Sequence, residues 1–361
     1  MKVCLFGSYA NDPMNELLKN KLKIAGIEYV ECQEDMKKSI GSFFSVYSKL
    51  SSKLRKLNYD VIIIPLWRAV FTLPIAKIWS KKPIVYYGYM PIYDTIVNDR
   101  KMFKPNSIKA KAIFFVEKMV WRWSDMIIKE SNAEIDYFAK QFGVDKKKFR
   151  RVLISADEEK FPVHPFKESQ DPFVVLYHGS YIPHHGIPTI IEAAKILSEH
   201  NDIVFRFCGK GQTKDKVESL AKKYQLKNVN FLGYVPFDQL IENINHSDVC
   251  LGIFGDSSKA TYGVTNKNYQ IFCSQKPLIT RDSPAMQEIN AENRKNCILV
   301  PPNDPKKLAE AILFLKDNPD ERKKIALNGR KLFVDKLSMS ETSKQLARYL
   351  QELLNENKVH T

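Results

Sequence analysis

Short apolar runs rich in Val and Ile alternate along the chain with longer segments whose apolar residues recur every three or four positions. The short runs predict strands buried on both faces, and the longer segments predict amphipathic helices. In the first half, the predicted strands are 2–6, 28–31, 60–65, 83–87, 125–129 and 151–155. Buried strands separated by helices predict a parallel sheet covered on both faces, so residues 1–165 are expected to form one doubly wound α/β domain.

A second series of the same kind follows a charged, proline-containing stretch at 156–172, which is typical of a linker. Its predicted strands are 173–177, 203–208, 229–232, 249–253, 277–280 and 298–300. We therefore expect an N-terminal domain at 1–165, a C-terminal domain at 166–338, and a helix within 339–361 that packs back toward the N-terminal domain. Ligands of open α/β sheets bind at the carboxyl ends of strands, which predicts a ligand cleft between the two halves.

The composition, with 44% apolar and 27% charged residues among 361, is typical of a globular protein of two domains. No run of 18 apolar residues is present, so no transmembrane helix is expected, and the first residues do not resemble a signal peptide. The six cysteines lie mostly in apolar runs without a CxxC pair. This predicts buried thiols in a reducing compartment, no metal site and a cytoplasmic location.

The net charge of +15 is concentrated in the first half, where residues 1–165 hold 29 basic and 18 acidic side chains. A basic half indicates a surface that meets an anionic membrane leaflet or a nucleic acid, although a solvated lysine-rich surface explains it as well. No nucleic-acid-binding motif is visible, so nucleic acid is not an expected partner. The protein is expected in the cytoplasm, with peripheral binding to the inner membrane face as a candidate.

Two predicted helices, 43–58 and 107–123, bring apolar and basic side chains together. The second carries Phe114, Phe115, Trp121 and Trp123 beside several lysines. Helices of this kind can lie in a lipid interface, although an ordinary helix with its apolar stripe on the core has the same pattern.

Glycine-containing turns follow several predicted strands of the second half. The segment 178–186 contains two glycines and leads into a helix, and such a turn can bind phosphate through backbone N–H groups. Gly209 and Gly211 follow the next strand and allow a close approach of the backbone. Lys267 stands at the start of a predicted helix, where the dipole disfavours a cation. A bound anion between Lys267 and the helix would explain that position, and a surface lysine is the alternative.

These motifs agree in type and order with one known family. Three segments resemble family 4 glycosyltransferases, the glycosyl transferases group 1. Residues 178–186 resemble the phosphate loop of that family, residues 266–270 its Asn-Lys-x-Phe/Tyr-Glu element, and residues 296–305 the segment that follows its last sheet strand. Residues 6–9, 93–95 and 98–100 resemble a subgroup of that family. The resemblance implies the GT-B fold, in which two Rossmann-like domains face a cleft.

The same resemblance implies a hexosyltransferase-type enzyme. A sugar would pass with retention, and without an obligatory metal, from a nucleotide-sugar to a lipid-linked or glycan acceptor. The nucleotide-sugar would be a substrate, and no cofactor is expected.

The resemblance also implies roles for individual residues. The donor-binding set is Gly7, Ser8, Gly179, Ser180, His185, Gly186, Gly209, Gly211, Tyr234, Val235, Lys267 and Gln270. Within it, the glycine loop and Lys267 would hold the diphosphate, Tyr234 and Val235 the base, and Gln270 the ribose. Lys267, Asp94 and Asp99 are the expected catalytic residues. For the two aspartates the reason is that a carboxylate can take the proton of an acceptor hydroxyl. A loop cap and a structural Asp–Arg pair are the alternative for the two aspartates.

Several positions depart from the family pattern. Tyr262 and Gln270 stand where the family often has the two glutamates of Glu-x7-Glu, and His185 replaces a usual lysine. The chain has no histidine before His164, and Met14 stands where the subgroup tends to have arginine. These losses leave a second hypothesis, in which the chain is a catalytically impaired nucleotide-sugar-binding partner of an active transferase.

Overall fold

A computed structural model describes residues 1–7, 13–34, 40–65, 69–88, 91–165 and 172–359. The chain forms two compact units. The first unit comprises Met1–Ile154 together with Met339–Thr361, and the second comprises Ser155–Ser338. The second unit thus begins before the predicted boundary at 166, because the buried residues Ala156 and Phe161 already belong to it.

The first unit contains a six-stranded parallel sheet. Its strands are β1 (Lys2–Gly7), β2 (Glu28–Gln33), β3 (Val61–Pro65), β4 (Ile84–Tyr87), β5 (Met126–Lys129) and β6 (Phe149–Arg151). They lie in the order β2-β1-β3-β4-β5-β6 and pair in parallel throughout. The helices between them are α1 (Pro13–Ile24), α2 (Ile40–Lys56), α3 (Ala69–Trp79), α4 (Ile108–Trp123) and α5 (Asn132–Phe142). The Ser107 and Ser131 hydroxyls accept N–H groups in the first turns of α4 and α5 and fix where these helices begin.

The predicted strand at 151–155 is wrong in position. The strand is Phe149–Arg151, and its last residue pairs with Lys129, the last residue of β5. Beyond that point β6 has no partner strand, so Val152, Leu153 and Ile154 are buried as a connecting segment.

The second unit repeats the arrangement in the order β12-β11-β10-β7-β8-β9. Its strands are β7 (Phe173–His178), β8 (Ile203–Cys208), β9 (Val229–Gly233), β10 (Val249–Leu251), β11 (Leu278–Arg281) and β12 (Ile298–Val300). Its helices are α6 (Ile187–Ile196), α7 (Lys214–Lys223), α8 (Phe237–Asn245), α9 (Ser258–Tyr262), α10 (Asn266–Cys273), α11 (Pro284–Glu288), α12 (Pro305–Asp317) and α13 (Pro319–Leu332). The prediction of two doubly wound parallel sheets is confirmed.

The C-terminal helix α14 (Met339–Val359) belongs to the first unit. Its side chains Leu346, Leu350 and Leu353 are buried in one apolar cluster with Leu18 and Leu22 of α1. The last segment of the chain therefore completes the core of the first unit.

The two basic helices predicted from the sequence, α2 and α4, differ in which of their apolar side chains are buried. In α2 the apolar residues Val46, Leu50 and Leu54 are buried, so its stripe packs on the core like that of an ordinary surface helix. In α4 Trp121 is buried, whereas Phe115 and Trp123 are exposed. None of the helices in the described ranges has the length and apolar character that a membrane span needs. All six cysteines are buried and free, as predicted.

The packing of α14 generates a stability prediction. The Leu350→Ala variant should lower the free energy of unfolding of the first unit by about 2–5 kcal/mol, because it removes a buried side chain and leaves a cavity. Chemical denaturation followed by circular dichroism measures this change. The matched control is Leu327→Ala, at a side chain that is 46% exposed on α13, and it should change stability by less than about 0.5 kcal/mol. Equal effects of the two variants would contradict the packing of α14.

Candidate nucleotide-binding site

The second sheet has its topological switch point between β7 and β10. These two strands are neighbours, and the connections that follow them run toward opposite edges of the sheet. The segment 179–186 follows β7, and Gly252–Gly255 follows β10. The amide of Phe254 donates a hydrogen bond of 3.0 Å to the His185 carbonyl, which holds the two segments together. A crevice at the switch point is where open α/β sheets bind their ligands.

The turn after β7 needs glycine at two places for different reasons. Gly186 has a φ of 63° and begins α6, and a side chain there would overlap the backbone of Phe254 and Gly255. A Cβ on Gly179, whose φ is 132°, would lie 2.9 Å from Cε of Lys267. The turn is therefore packed directly against the lysine side chain on one side and against the β10 segment on the other.

The start of α6 offers fewer backbone donors than an ordinary helix start, because Pro188 has no N–H and the Thr189 amide donates to the Gly186 carbonyl at 3.0 Å. Gly186 is the residue before the first helical turn, and it has no side chain that could cap the helix. The first turn of a helix leaves N–H groups without intrahelical partners, and these attract anions. The first helical residue is Ile187, which follows Gly186 at the same switch point.

Lys267 lies beneath the glycine turn and is 4% exposed. Its Nζ atom is 3.2 Å from Nδ1 of His185 and 4.2 Å from the centroid of the Tyr177 ring. The same Nδ1 lies 2.7 Å from both the Ser180 carbonyl oxygen and the Tyr177 hydroxyl. The expectation of a surface lysine is thereby excluded, and three predicted donor-site residues, Ser180, His185 and Lys267, lie in one cluster.

The charges in this cluster are not balanced within the protein. No carboxylate forms an ion pair with Lys267 in the described ranges of the chain. Burial lowers the pKa of Lys267 well below its ordinary value, because the ammonium loses its water. Burial, and then the neighbouring Lys267, lowers the pKa of His185 in the same way. An anion bound at the glycine turn would supply the missing charge and favour the protonated lysine.

Gln270 lies one turn after Lys267 on α10 and is held by a histidine. Its Oε1 atom is 3.1 Å from Nε2 of His178, the last residue of β7. Burial, followed by the charge of Lys267, lowers the pKa of His178 to about 3, so this imidazole is neutral and Nε2–H donates to Gln270. Nδ1 of His178 has no hydrogen-bond partner among the described residues. The pair fixes the orientation of the Gln270 amide at the switch point.

The loops after β8 and β9 complete this side of the second unit. The Tyr181 amide donates a hydrogen bond to the Lys210 carbonyl at 2.9 Å. A Cβ on Gly211 would lie 2.6 Å from the carbonyl oxygen of Tyr181. Gly209 and Gly211 therefore let the second loop lie against the first. Tyr234 is 70% exposed, with Nζ of Lys210 4.3 Å from its ring centroid, and Val235 is half-buried. The structure thus places the predicted second-unit residues around connected loops.

The first unit holds the other predicted residues. Gly7 ends β1, beside β3, at the switch point of the first sheet, and Ser8 lies outside the described residues. Asp94 and Asp99 are buried at the two ends of a π-helical turn, Asp94–Asp99, that follows β4. Oδ1 of Asp94 accepts hydrogen bonds from Asn98 Nδ2 at 3.0 Å and from the Tyr137 hydroxyl at 3.2 Å.

Glu117 of α4 anchors the segment before this turn. Its two carboxylate oxygens accept the amides of Ile92 and Tyr93 at 2.7 and 2.8 Å. Burial raises the pKa of Glu117 to about 7 despite these bonds. Sequence reasoning missed Glu117, Tyr177 and the contact of His178 with Gln270. Glu117 could have been noticed as the only acidic residue of a basic helix.

No group of three or more His, Cys, Asp or Glu side chains that could hold a metal ion is found within the described ranges. The cluster at the switch point consists of cationic and neutral groups, a composition that suits an anion.

Comparisons with known proteins agree with this geometry. The sequence model of the family described as glycosyl transferases group 1 matches residues 158–332, which include the whole switch-point cluster. The uncharacterized glycosyltransferase MJ1178 of Methanocaldococcus jannaschii is 27% identical over 178 residues, which are 49% of this chain and 48% of that protein. The matched regions span about half to two thirds of the length of the curated relatives.

Solved structures extend the likeness to nearly the whole chain. HepE of Anabaena in complex with UDP-glucose has a TM-score of 0.72 at 16% identity, covering 97% of this chain and 99% of that one. Sucrose-phosphate synthase of Thermosynechococcus elongatus has a TM-score of 0.73 at 15% identity, covering 99% and 100%. These values show the fold, and the predicted GT-B architecture is confirmed.

The uncompensated burial of Lys267 predicts an unusual effect on stability. The Lys267→Met variant keeps the length of the side chain and removes the buried amine, so it should raise the free energy of unfolding at pH 7 by about 0.5–2 kcal/mol. The Lys267 amine binds its proton more tightly in the unfolded chain than in the folded chain. The stability difference between Lys267→Met and the wild type should therefore grow as the pH falls and shrink toward pH 10. Thermal unfolding between pH 6 and pH 10 measures both trends.

The exposed Lys216 on α7 provides the control for this measurement. Lys216→Met should leave the unfolding temperature unchanged at every pH. A loss of stability in Lys267→Met would contradict the inference that Lys267 is buried without a counter-ion.

Proposed function

We propose that the chain is a glycosyltransferase that moves a sugar from a nucleotide-sugar to an acceptor, with retention of the anomeric configuration. The observation that carries the proposal is the buried Lys267 beneath the Gly179 turn, without an acidic partner in the described ranges. This arrangement suits a ligand that brings two or more negative charges, as a nucleoside diphosphate does. The neighbouring Ser180 carbonyl and Tyr177 hydroxyl keep His185 in place beside the lysine.

The geometry also suits the chemistry of the leaving group. When the bond between the sugar and the diphosphate breaks, negative charge builds on the diphosphate oxygen. The Lys267 ammonium and the Ile187 N–H at the start of α6 would stabilise that charge from fixed positions, and such preorganised groups act strongly where water is excluded. In this proposal no metal is required, because the protein supplies the positive charge.

The comparisons support a nucleotide-sugar as the donor. The matched family model spans the cluster, and the HepE structure was solved with UDP-glucose. In this chain Tyr234, with the Lys210 ammonium over its ring, would lie beside the base, and Gln270 would meet the ribose. A hexose is the proposed sugar, by resemblance to family 4 glycosyltransferases.

The first unit would bind the acceptor. Asp94 and Asp99 are the proposed groups that take the proton of the acceptor hydroxyl, and the Glu117 contacts hold their turn. The basic balance of residues 1–165 favours a lipid-linked or glycan acceptor at an anionic membrane surface, approached from the cytoplasmic side. Nucleic acid is not a proposed partner.

A second candidate function is a nucleotide-sugar-binding partner without turnover. It is favoured by one specific feature, the replacement of both family glutamates by Tyr262 and Gln270. Gln270 is held by the neutral His178 and brings no charge to a ribose hydroxyl, so the hydrogen bond it can make is weaker than that of a carboxylate.

Calorimetric titration with UDP, GDP and ADP, and with their common sugar forms, tests the proposed site. One of the nucleotides should bind with a Kd of about 1–100 μM, and Lys267→Met should weaken it at least tenfold, because a charge-assisted hydrogen bond contributes about 1.5–3 kcal/mol. Binding should also be accompanied by proton uptake, because burial lowers the pKa of Lys267 and an anion raises it again, so the measured heat should depend on the ionisation enthalpy of the buffer. Lys216→Met is the control and should bind like the wild type. Failure of all three nucleotides to bind would refute the donor site.

Incubation of the binding nucleotide-sugar with candidate acceptors separates the two functions. Release of the nucleoside diphosphate, abolished in Asp94→Asn but retained in a control such as Asp215→Asn, supports the transferase. Donor binding without any transfer or hydrolysis supports the non-catalytic partner instead.

A further inference from the structure

Helix α4 has apolar residues on two opposite faces. The inner face includes Ala110, Val120 and Trp121, which are buried. Trp121 stacks on Phe142 of α5 at 5.0 Å between ring centroids, so this face is fully used by the core of the first unit. A surface helix normally has a single apolar face, and the second one needs a separate explanation.

The outer face carries what we call the α4 stripe, defined as Ile108, Phe115, Val116 and Trp123. These side chains are exposed to 87%, 63%, 41% and 41% respectively. Their spacing of seven and eight residues places them along one side of the helix over four turns. Aligned exposed apolar residues of this kind mark an interaction site more often than scattered single ones do.

The polar residues beside the α4 stripe are cations. Lys109, Lys111 and Arg122 are exposed next to it, and none of them forms an ion pair within the described parts of the chain. The one acidic residue of the helix, Glu117, is buried and engaged with the backbone of Ile92 and Tyr93. The outer face of α4 therefore offers apolar side chains and positive charge, without negative charge of its own.

The neighbouring helix α3 also ends in exposed apolar side chains with a basic residue beside them. Ile78 is 72% exposed and Trp79 is 44% exposed, with the Arg55 guanidinium 4.4 Å from the Trp79 ring centroid. Both α3 and α4 lead into strands of one parallel sheet, so their last residues lie at the same edge of that sheet. Exposed tryptophans accompanied by basic residues thus occur at the ends of two adjacent helices.

We propose that the α4 stripe docks the protein on an anionic lipid surface, with the stripe inserted at the headgroup boundary and its cations facing lipid phosphates. Helices that lie in a lipid interface combine Phe, Trp and Leu with Lys and Arg in this way. A protein partner fits less well, because lysine is depleted from the cores of protein interfaces. Nucleic acid would use the cations but leaves the four apolar side chains without a role.

This inference rests on the proposed function, in which the acceptor lies at a membrane surface, and adds which surface of the protein binds the lipid. Vesicle binding itself needs neither donor nor acceptor. It can therefore fail while nucleotide binding succeeds, and the reverse also holds. The experiment is sedimentation of the full chain with vesicles of phosphatidylcholine containing phosphatidylglycerol, at low and at high salt, with pure phosphatidylcholine vesicles for comparison.

The wild type should bind the anionic vesicles at low salt and should bind pure phosphatidylcholine much more weakly. Phe115→Ser combined with Ile108→Ser should reduce binding about tenfold or more, since the inserted apolar area is lost. Lys109→Ala combined with Lys111→Ala should reduce it roughly fivefold per charge and flatten the salt dependence. Both pairs are exposed, so the variants should unfold at the wild-type temperature.

Leu327→Ser, on α13 of the second unit, is the matched control and should bind like the wild type. Absence of binding to anionic vesicles at low salt would overturn the proposal. Binding that survives both double variants would overturn it as well, because another surface would then carry the interaction.

Discussion

The burial of one lysine, without an acidic partner among the described residues, is the constraint around which the second unit is organised. Lys267 is 4% exposed, and its neighbours His185 and Tyr177 bring no negative charge. Burying an unpaired amine is costly, and here the cost is tolerated because a well-packed parallel sheet surrounds the site. The glycines follow from the same constraint, since a side chain at position 179 would overlap the lysine stem. The turn, the helix start and the lysine thus lie together, and in the proposed function a bound anion would balance the charge of the lysine.

The strands of both sheets were predictable from the sequence, because parallel strands that are buried on both faces consist of contiguous apolar residues. The twelve observed strands lie at the twelve predicted places, apart from the shift to Phe149–Arg151. That shift depends on where β5 ends, which is a property of the partner strand. The periodicity of α2 and α4 looked alike, yet one stripe is buried and the other exposed. Local pattern gives the amphipathic face of a helix, but only the packing of neighbouring elements decides which face meets the core.

The candidate site was predictable to the extent that its residues follow strands. Glycine turns and Lys267 stand at recognisable places in the chain, so the loops were found from local signals. The contacts between them were not, because His178 and Gln270 are 92 residues apart and meet only through the register of β7 and the placement of α10. The burial of Lys267 is likewise a tertiary property. A lysine at a helix start is surprising in the sequence, and only the structure shows that its side chain is enclosed by His185 and Tyr177.

Gln270 brings no charge to the neighbourhood of Lys267, and this affects the electrostatics of the candidate site as well as its contacts. A carboxylate at 270, one helical turn from Lys267, would face the same crevice and would favour the charged lysine before any ligand arrives. Gln270, held by a neutral His178, supplies no such counter-ion to the lysine, whose pKa is lowered by burial. Ligand binding and lysine protonation are then coupled, so each favours the other. In the proposed function, an uncharged residue at position 270 leaves a larger part of the charge compensation of Lys267 to the anionic ligand.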